Sequence, residues 1–418
     1  MEKLADDNFK SLYGYRGAIY SSPLGAELKE QMIVNAGQRY NPDWPGDTLR
    51  DEALSGAVGY GRVTEFFAGA KKVKTPEAKG VTKWQGTPEE NIRLLRTAFR
   101  FFGVSDVGAV DVTNNTRKLV FTRSRQTSGF KGGWRWNKWA DIDEAFEEKI
   151  PEGSKAYIPN KCSQMIVWTV LQPREGTIRY GTLSNAAASR AYQQISVIEG
   201  QMQDFLRGIG YQGLQGGTGA IGPSNAWGLL AGVGEMGRAY HVVTSPEFGN
   251  NLRGMNRMLT DLPLAPTNPV DAGLMRFCYT CFKCADSCPS DSLNRAKEPS
   301  WEQPDAPFAM NPALEEHYDM LKNYKNWPWN VKGIKAWWLD VPTCVMCRNC
   351  MGSCPFSKMH DSSIHELVGA IAATTPIFNG FFRQMDDFFG YGLKDPEEFW
   401  KLDLPTYGID TTWGAKPF

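Results

Sequence analysis

Apolar residues recur along this chain at several different spacings, and each spacing predicts an element. Thr87-Pro88-Glu89-Glu90 offers an N-cap hydroxyl, a proline at the first helical position and a capping-box glutamate. Ile92, Leu95, Phe99 and Phe102 follow at three- and four-residue intervals until Gly103, which predicts an amphipathic helix with a glycine stop. Val107 to Val110 is a short apolar run suited to a strand, and Met165 to Leu171 is a continuous, β-branched run suited to a buried one. From Ser184 the longest helical stripe runs through Tyr192, Ile195, Ile198, Met202, Phe205 and Ile209, which places Tyr192 on the buried face. Val242 and Val243 predict one more short strand.

The segments between these elements read differently. The first stretch, to Gly86, is rich in glycine and proline and reads as an irregular N-terminal unit. Asn114 to Pro159 is polar and aromatic-rich, with Trp134, Trp136 and Trp139, and reads as an insertion, its tryptophans equally suited to capping an apolar pocket or to plain packing. The tail from Phe381 to Phe418 is aromatic and does not have a disordered composition. Helices and strands in this arrangement predict an α+β fold. The expected units are 1–86 (N-terminal), 87–271 (a core with an insertion at about 112–160), 272–380 (the cysteine-bearing unit) and 381–418 (a return to the core).

Composition narrows the picture only slightly. With 42% apolar and 22% charged residues in 418, the chain can bury a large core. Lys+Arg and Asp+Glu both number 46, so no net basic field gathers nucleic acid, and none is expected as a partner. The most apolar stretch, from Leu367 to Phe382, is broken by Thr374, Thr375, Pro376, Asn379 and Gly380 and does not read as a membrane span. The N-terminus shows no apolar leader and no twin arginine, consistent with a cytoplasmic chain or with one whose targeting peptide has been removed.

The cysteines change the picture more. Eight of the nine fall in two runs, Cys278/Cys281/Cys284/Cys288 and Cys344/Cys347/Cys350/Cys354, each reading C-x2-C-x2-C-x3-C and each followed by proline, Pro289 and Pro355. Three thiolates at two-residue gaps let one loop curl around a 4Fe-4S cubane, while the fourth leaves on a new chain direction and, in two-cluster ferredoxins, ligates the other cluster. The expected sets are therefore Cys278, Cys281, Cys284 and Cys354 for one cluster, and Cys344, Cys347, Cys350 and Cys288 for the other. Zinc sites seldom use three cysteines so spaced. Cys162, the ninth, precedes a buried strand and reads as a core residue. Two clusters make a one-electron wire, and the long segment before Cys278 must hold its terminus.

Two glycine runs match G-x-G-x-x-G: Gly217, Gly219, Gly222 and Gly232, Gly234, Gly237. A dinucleotide fingerprint needs a strand before and a helix after; Pro223 follows the first match at once, and Val242, Val243 and Pro246 follow the second. They read either as plain turns or as places where the backbone approaches another large cofactor closely.

The chain resembles the corrinoid-dependent respiratory reductive dehalogenases. The resemblance is carried by Phe205 to Tyr211 (FLRGIGY), Ala231 to Arg238 (AGVGEMGR), Thr244 to Arg253 (TSPEFGNNLR), Thr260 to Pro269 (TDLPLAPTNP) and both cysteine runs in order. Ile158-Pro159-Asn160 before the core strand, and Gly390-Tyr391-Gly392 and Thr406-Tyr407-Gly408 in the tail, add to it; it spans roughly residues 90 to 418. It implies a nitroreductase-like core holding a corrinoid, with a ferredoxin-like two-cluster unit inserted toward the C-terminus. It also implies reductive removal of halide from a small organohalide, weakly in the branch acting on chlorinated methanes and ethanes, with chlorinated ethenes open. Members are typically exported by the Tat route and held at the outer face of the cytoplasmic membrane by a small anchor protein, where a membrane donor supplies electrons.

The resemblance also implies roles for single residues. Counting back from FLRGIGY places the proton-donating tyrosine at Tyr192, and the arginine that closes TSPEFGNNLR, Arg253, is its partner. Corrinoid contacts are expected from Gly217, Gly219, Asn225, Gly232 and Gly234, with Asn225 in place of an asparagine that many relatives carry nearer Thr218 and Gly219. The four histidines, His241, His317, His360 and His365, include none in a D-x-H-x-x-G arrangement, so a base-off corrinoid is expected. Axial ligation is one lever on a metal's potential, and a lower face without nitrogen makes low-valent cobalt easier to reach. Two other readings stand beside this one: an epoxyqueuosine reductase-like corrinoid enzyme and a ferredoxin-type electron carrier.

Overall fold

A computed structural model describes residues 67–69, 71–125, 134–215, 221–240, 242–302, 334–339, 344, 346–358 and 363–401. The 87–102 helix forms as α1, Pro88–Phe101, with the capping box in place: Thr87 Oγ1 accepts from the Glu90 amide at 3.2 Å and a Glu90 carboxylate oxygen accepts from the Thr87 amide at 2.8 Å. Its apolar face, Ile92, Leu95 and Phe99, is buried.

The core is a four-stranded antiparallel sheet. The strands are β1 (Asp106–Asp111), β6 (Gln164–Leu171), β7 (Gly213–Leu214) and β10 (Leu252–Thr260), in the spatial order β1-β6-β10-β7. β6 reads as a continuous apolar run because both of its faces are covered. Ile166, Trp168 and Val170 face α1 and, past the short α2 (Arg174–Thr177), the long helix α3 (Thr182–Ile209), through Leu95, Phe99, Ile195, Ile198 and Met202. Met165 and Val167 face the opposite way, toward Trp227, Ala231 and Leu259. Cys162 is fully buried in that second cluster, where burial raises its thiol pKa.

The segment expected as an insertion is a second sheet. Its strands β2 (Arg123–Arg125), β3 (Trp134–Ala140), β4 (Phe146–Ile150) and β5 (Gly153–Pro159) lie in the order β2-β3-β5-β4, with β3 and β5 parallel. Ala156 and Ile158 tie it into the core. The tryptophans stack on cations: the Arg123 guanidinium lies 4.9 Å from the Trp134 ring and 5.0 Å from Trp136, and Arg117 lies 3.9 Å from Trp139.

The first glycine match departs from expectation in one respect. Pro223 does not prevent a helix; it stands at the N-cap of α4, Ser224–Leu230, where a missing N–H costs nothing. Gly232 and Gly234 are followed by the short strands β8 (Glu235–Met236) and β9 (Val243–Thr244).

The cysteine-bearing unit is built of short pieces: α5 (Leu274–Cys281), α6 (Lys283–Asp286) and α7 (Asn349–Gly352), followed by α8 (Ser363–Thr374) and α9 (Asn379–Phe388). Lys283, buried, pairs with Asp386 and with Asp387 at 2.9 Å, which fastens α9 against the first cysteine run. Among the described residues no helix is long and apolar enough to cross a membrane. Thr406-Tyr407-Gly408, His241, His317 and His360 lie outside the described residues.

Candidate active site

The two cysteine runs come together in crossed quartets. The thiols of Cys278, Cys281, Cys284 and Cys354 line one cavity, closed by Phe277, Phe282 and Phe356. Cys347 feels Cys344 and Cys288 as its neighbours, and Cys350 feels Cys347, Cys284, Cys288 and Cys344, so the fourth cysteine of each run lies near the other run. Burial raises the thiols: Cys278 and Cys347 are pushed up to about 12, and Cys284 and Cys350 are raised well above the ordinary range. A bound metal reverses that, since a coordinating thiol is deprotonated outright.

Backbone N–H groups already point at the sulfurs, as a cage of anionic ligands requires. The Arg238 amide donates to Cys278 Sγ at 3.5 Å and the Ser292 amide to Cys288 Sγ at 3.3 Å. The turns that curl each run need left-handed backbone at Phe282 (φ 57°) and Arg348 (φ 66°), one residue after the second cysteine in each case. The donor set, its burial and these amides all fit iron–sulfur ligation.

Tyr192 and Arg253 meet at one end of the core sheet, where β10 begins. Tyr192 is half-buried on α3, and the Arg253 guanidinium sits 5.2 Å from its ring centroid. A bulge aims the arginine. Arg253 pairs with Val170 and Asn256 with Trp168, so β10 carries one extra residue between them, with Gly254 in the left-handed region at φ 66°. A Cβ on Gly254 would meet the Asn256 amide nitrogen at 2.5 Å. Arg253 Nε and Nη2 both donate to Gln172 Oε1, at 2.9 and 2.5 Å, which fixes the guanidinium plane.

The second cysteine run reaches this pair directly. Arg253 Nη2 lies 3.5 Å from Met351 Sδ, and Arg348 donates to Asn185 Oδ1 on α3 and to the Met346 carbonyl. Burial lowers Arg348 to about 10, with Arg253 adding repulsion, while Tyr192, Cys347 and Cys344 work against the shift. Arg257, fully buried and lowered to about 10 by burial, has Glu199 and Tyr192 as its offsetting neighbours and donates to Ser224 Oγ at 2.7 Å. Three guanidinium groups, those of Arg253, Arg257 and Arg348, therefore lie close enough to Tyr192 to interact with it.

Other expected positions fall less simply. Gly217 and Gly219 lie outside the described residues. Asn225 donates from Nδ2 to the Tyr240 carbonyl at 3.0 Å. Gly232 and Gly234 are needed by the chain itself, since a Cβ there would come within 2.2 Å of the Asn268 carbonyl and 2.1 Å of the Thr244 carbonyl. Sequence reasoning missed Gln172, Arg257, Arg348 and Met351. The cue for Gln172 is an amide placed directly after a buried, mostly apolar strand.

The core is also short of partners beside Arg253. Asn251 Oδ1 and both amide atoms of Asn256 are buried without a hydrogen-bond partner in the protein. Buried polar groups are nearly always satisfied, so a polar ligand seated here would complete them.

The family model described as reductive dehalogenase subunit matches residues 26–264, more than half of the chain. The chain belongs to the reductive dehalogenase family. Among this family's curated members, a trichloroethene reductive dehalogenase of Dehalococcoides mccartyi is 34% identical over 78% of this chain and 59% of its own length. A chloroethene reductive dehalogenase from another strain of that organism is 30% identical over 92% of this chain and 79% of its own length. A solved reductive dehalogenase whose structure is described as suggesting a mechanism for B12-dependent dehalogenation has the same fold, with a TM-score of 0.55 at 18% identity. The match covers 82% of this family member and 41% of that chain. The dehalogenase-family chain thus spans about six tenths of the first relative and under half of the solved one.

Proposed function

We propose that this chain replaces carbon-bound halogen by hydrogen in a small chlorinated aliphatic. Electrons would pass through two 4Fe-4S clusters to a base-off corrinoid held in a nitroreductase-like core. The observation that carries this reading is the contact of the second cysteine run with the Tyr192–Arg253 pair, through Arg348 and Met351. When bound, the clusters would supply single electrons and the corrinoid low-valent cobalt chemistry at the substrate.

The chain's own residues account for the rest. Replacement of halogen by hydrogen consumes two electrons and one proton and releases halide. Tyr192 gives the proton from its phenol oxygen, and Arg253, held flat by Gln172, stabilises the phenolate until it is reprotonated. Cys278, Cys281, Cys284 and Cys354 hold one cluster, and Cys288, Cys344, Cys347 and Cys350 the other, nearer Tyr192. The glycine-rich segment with Gly217, Gly219, Asn225, Gly232 and Gly234 flanks the corrinoid, and Asn251 and Asn256 supply polar contacts to it.

The relatives named above for chlorinated ethenes place such substrates beside chlorinated methanes and ethanes in the assay panel. Export by the Tat route and retention at the outer face of the cytoplasmic membrane by a small anchor protein complete the proposal. Exposed Ile364, Leu367, Phe381, Phe388 and Phe389 on and just after α8 and α9 offer that partner an apolar surface.

Tyr192→Phe is expected to retain iron, sulfide and corrinoid while turnover with reduced viologen falls by about 10²–10⁴, the usual contribution of a general acid. Unchanged turnover across a panel of chloroalkanes and chloroethenes would remove Tyr192 from the mechanism.

A further inference from the structure

Arg238 is 1% exposed, and among the described residues its side chain bonds to neutral acceptors alone. Its Nη1 donates to the carbonyls of Asn294 (2.6 Å) and Ala296 (2.8 Å), and its Nη2 to the carbonyl of Cys278 (2.7 Å). The guanidinium is sandwiched between the rings of Phe282, 4.0 Å away, and Trp337, 4.7 Å away. Among the described residues no carboxylate pairs with it; the one that it feels, Asp286, is engaged by Arg295 and Arg383. Lys283, in the same run, differs in being neutralised by Asp386 and Asp387.

A buried charge without a counter-ion costs several kcal/mol, and such charges are normally paired or bound to metal sites. The ionisable groups that favour the Arg238 cation most are the thiols of Cys284, Cys278 and Cys281. A 4Fe-4S cube on four thiolates carries net negative charge, and reduction adds one more. Such a cluster would offset the buried guanidinium, and the guanidinium would in turn favour the reduced cluster.

On the cluster reading proposed above, we propose that Arg238 is a positioning and potential-setting residue. Its uncompensated charge raises the reduction potential of the cluster on Cys278, Cys281, Cys284 and Cys354 and leaves the other cluster unaffected. The second quartet has its own cation, Arg348, which donates to Asn185 and to the Met346 carbonyl, is repelled by Arg253 and is favoured by Tyr192. The two clusters are thus tuned by separate arginines, and only the one at Arg238 is independent of the proton-donating site.

The test is a redox titration of the purified holoenzyme, followed by the electron paramagnetic resonance of its reduced clusters, for wild type, Arg238→Lys and Arg238→Met. Arg238→Met is expected to lower one midpoint by at least a tenfold change in the oxidised-to-reduced ratio, ~59 mV for a one-electron couple, with the other midpoint unmoved. Arg238→Lys, which keeps the charge but not the three-carbonyl grip, is expected to stay close to wild type. Loss of one cluster in Arg238→Met with its retention at near-wild-type potential in Arg238→Lys also supports the role of charge. No shift in Arg238→Met, equal shifts in both clusters, or the same shift or loss in Arg238→Lys overturns the inference. Absence of cluster signals from the wild type would overturn the cluster reading itself, which the variants alone cannot do.

Discussion

The core sheet and the cysteine-bearing unit are held together by different physics. In the core, β6 is covered on both faces, and Leu95, Phe99, Trp168 and Met202 interlock with essentially no exposure. In the other unit, α6 and α7 are four residues each, and the apolar groups around the thiols form small separate clusters, with Leu274, Phe277 and Phe356 in one and Leu293, Trp338 and Leu339 in another, interleaved with buried Arg238, Ser290, Ser292, Asn349 and Ser353. Helices that short do not stand alone in water. The core folds because it removes apolar surface from water, whereas the cysteine unit needs whatever its thiols hold. The seam between them is specific. Gly249 lets the TSPEFGNNLR segment press against Phe356 and Ser357, where a Cβ would come within 2.2 Å of the Ser357 amide, and a Cβ on Gly352 would come within 2.4 Å of the Thr177 carbonyl.

Removal of iron should therefore have the largest effect and an uneven one. Chelation under reducing conditions, or Cys354→Ser, is expected to abolish turnover and to open residues 274–288 and 344–358 to proteolysis and amide exchange. Metal-binding free energy is folding free energy in such units. Protection across β6 and β10 is expected to persist. Loss of protection in both regions together would show that the two units form one cooperative whole.

A core lesion should give the mirror image. Leu95→Ala removes a fully buried side chain packed in the cluster formed by α1, β1 and β6, at a cost of about 2–5 kcal/mol. Thermal unfolding followed by far-ultraviolet circular dichroism should shift down, while both cluster signals keep their midpoint potentials in the folded protein. A changed potential would mean that the core's packing reaches the clusters.

The same division explains what could be read from the sequence. Cysteine ligation is local: three ligands lie within seven residues, so spacing alone predicts the quartets, and the proline after each run marks the crossing. Tyr192 and Arg253 are distant in sequence and come together through a helix and a bulged strand, so no spacing links them, and their pairing rested on family resemblance. Arg348 and Met351 were hidden inside a motif read only for its cysteines, and Arg348 is turned toward Tyr192 by a left-handed backbone angle that sequence does not announce. The second sheet was missed because the usual pattern is inverted in β3: the polar Arg135 and Asn137 are buried, while Trp134, Trp136 and Trp139 are half-buried and stack on arginines.

The smallest expected effect separates the units by pH. Asp106 opens β1 with its carboxylate accepting from the Val107 amide at 2.8 Å, and burial raises its pKa to about 6 from an ordinary 3.8. Between those two values the folded chain binds a proton that the unfolded chain does not, so ∂ΔG/∂pH of unfolding is negative and core stability falls as pH rises through the window. Above about pH 6 the whole penalty is present. A rise from 3.8 to about 6 corresponds to about 3 kcal/mol, which screening at this part-exposed position reduces to about 1 kcal/mol. Asp106→Asn keeps the acceptor for Val107 and removes the charge, so it should unfold later than wild type at pH 7, with the advantage shrinking to nothing below about pH 4. Urea unfolding at three pH values measures this. Equal stability of the two proteins at pH 7, or an advantage that persists unchanged at low pH, would show that the Asp106 carboxylate is not a cost to the core.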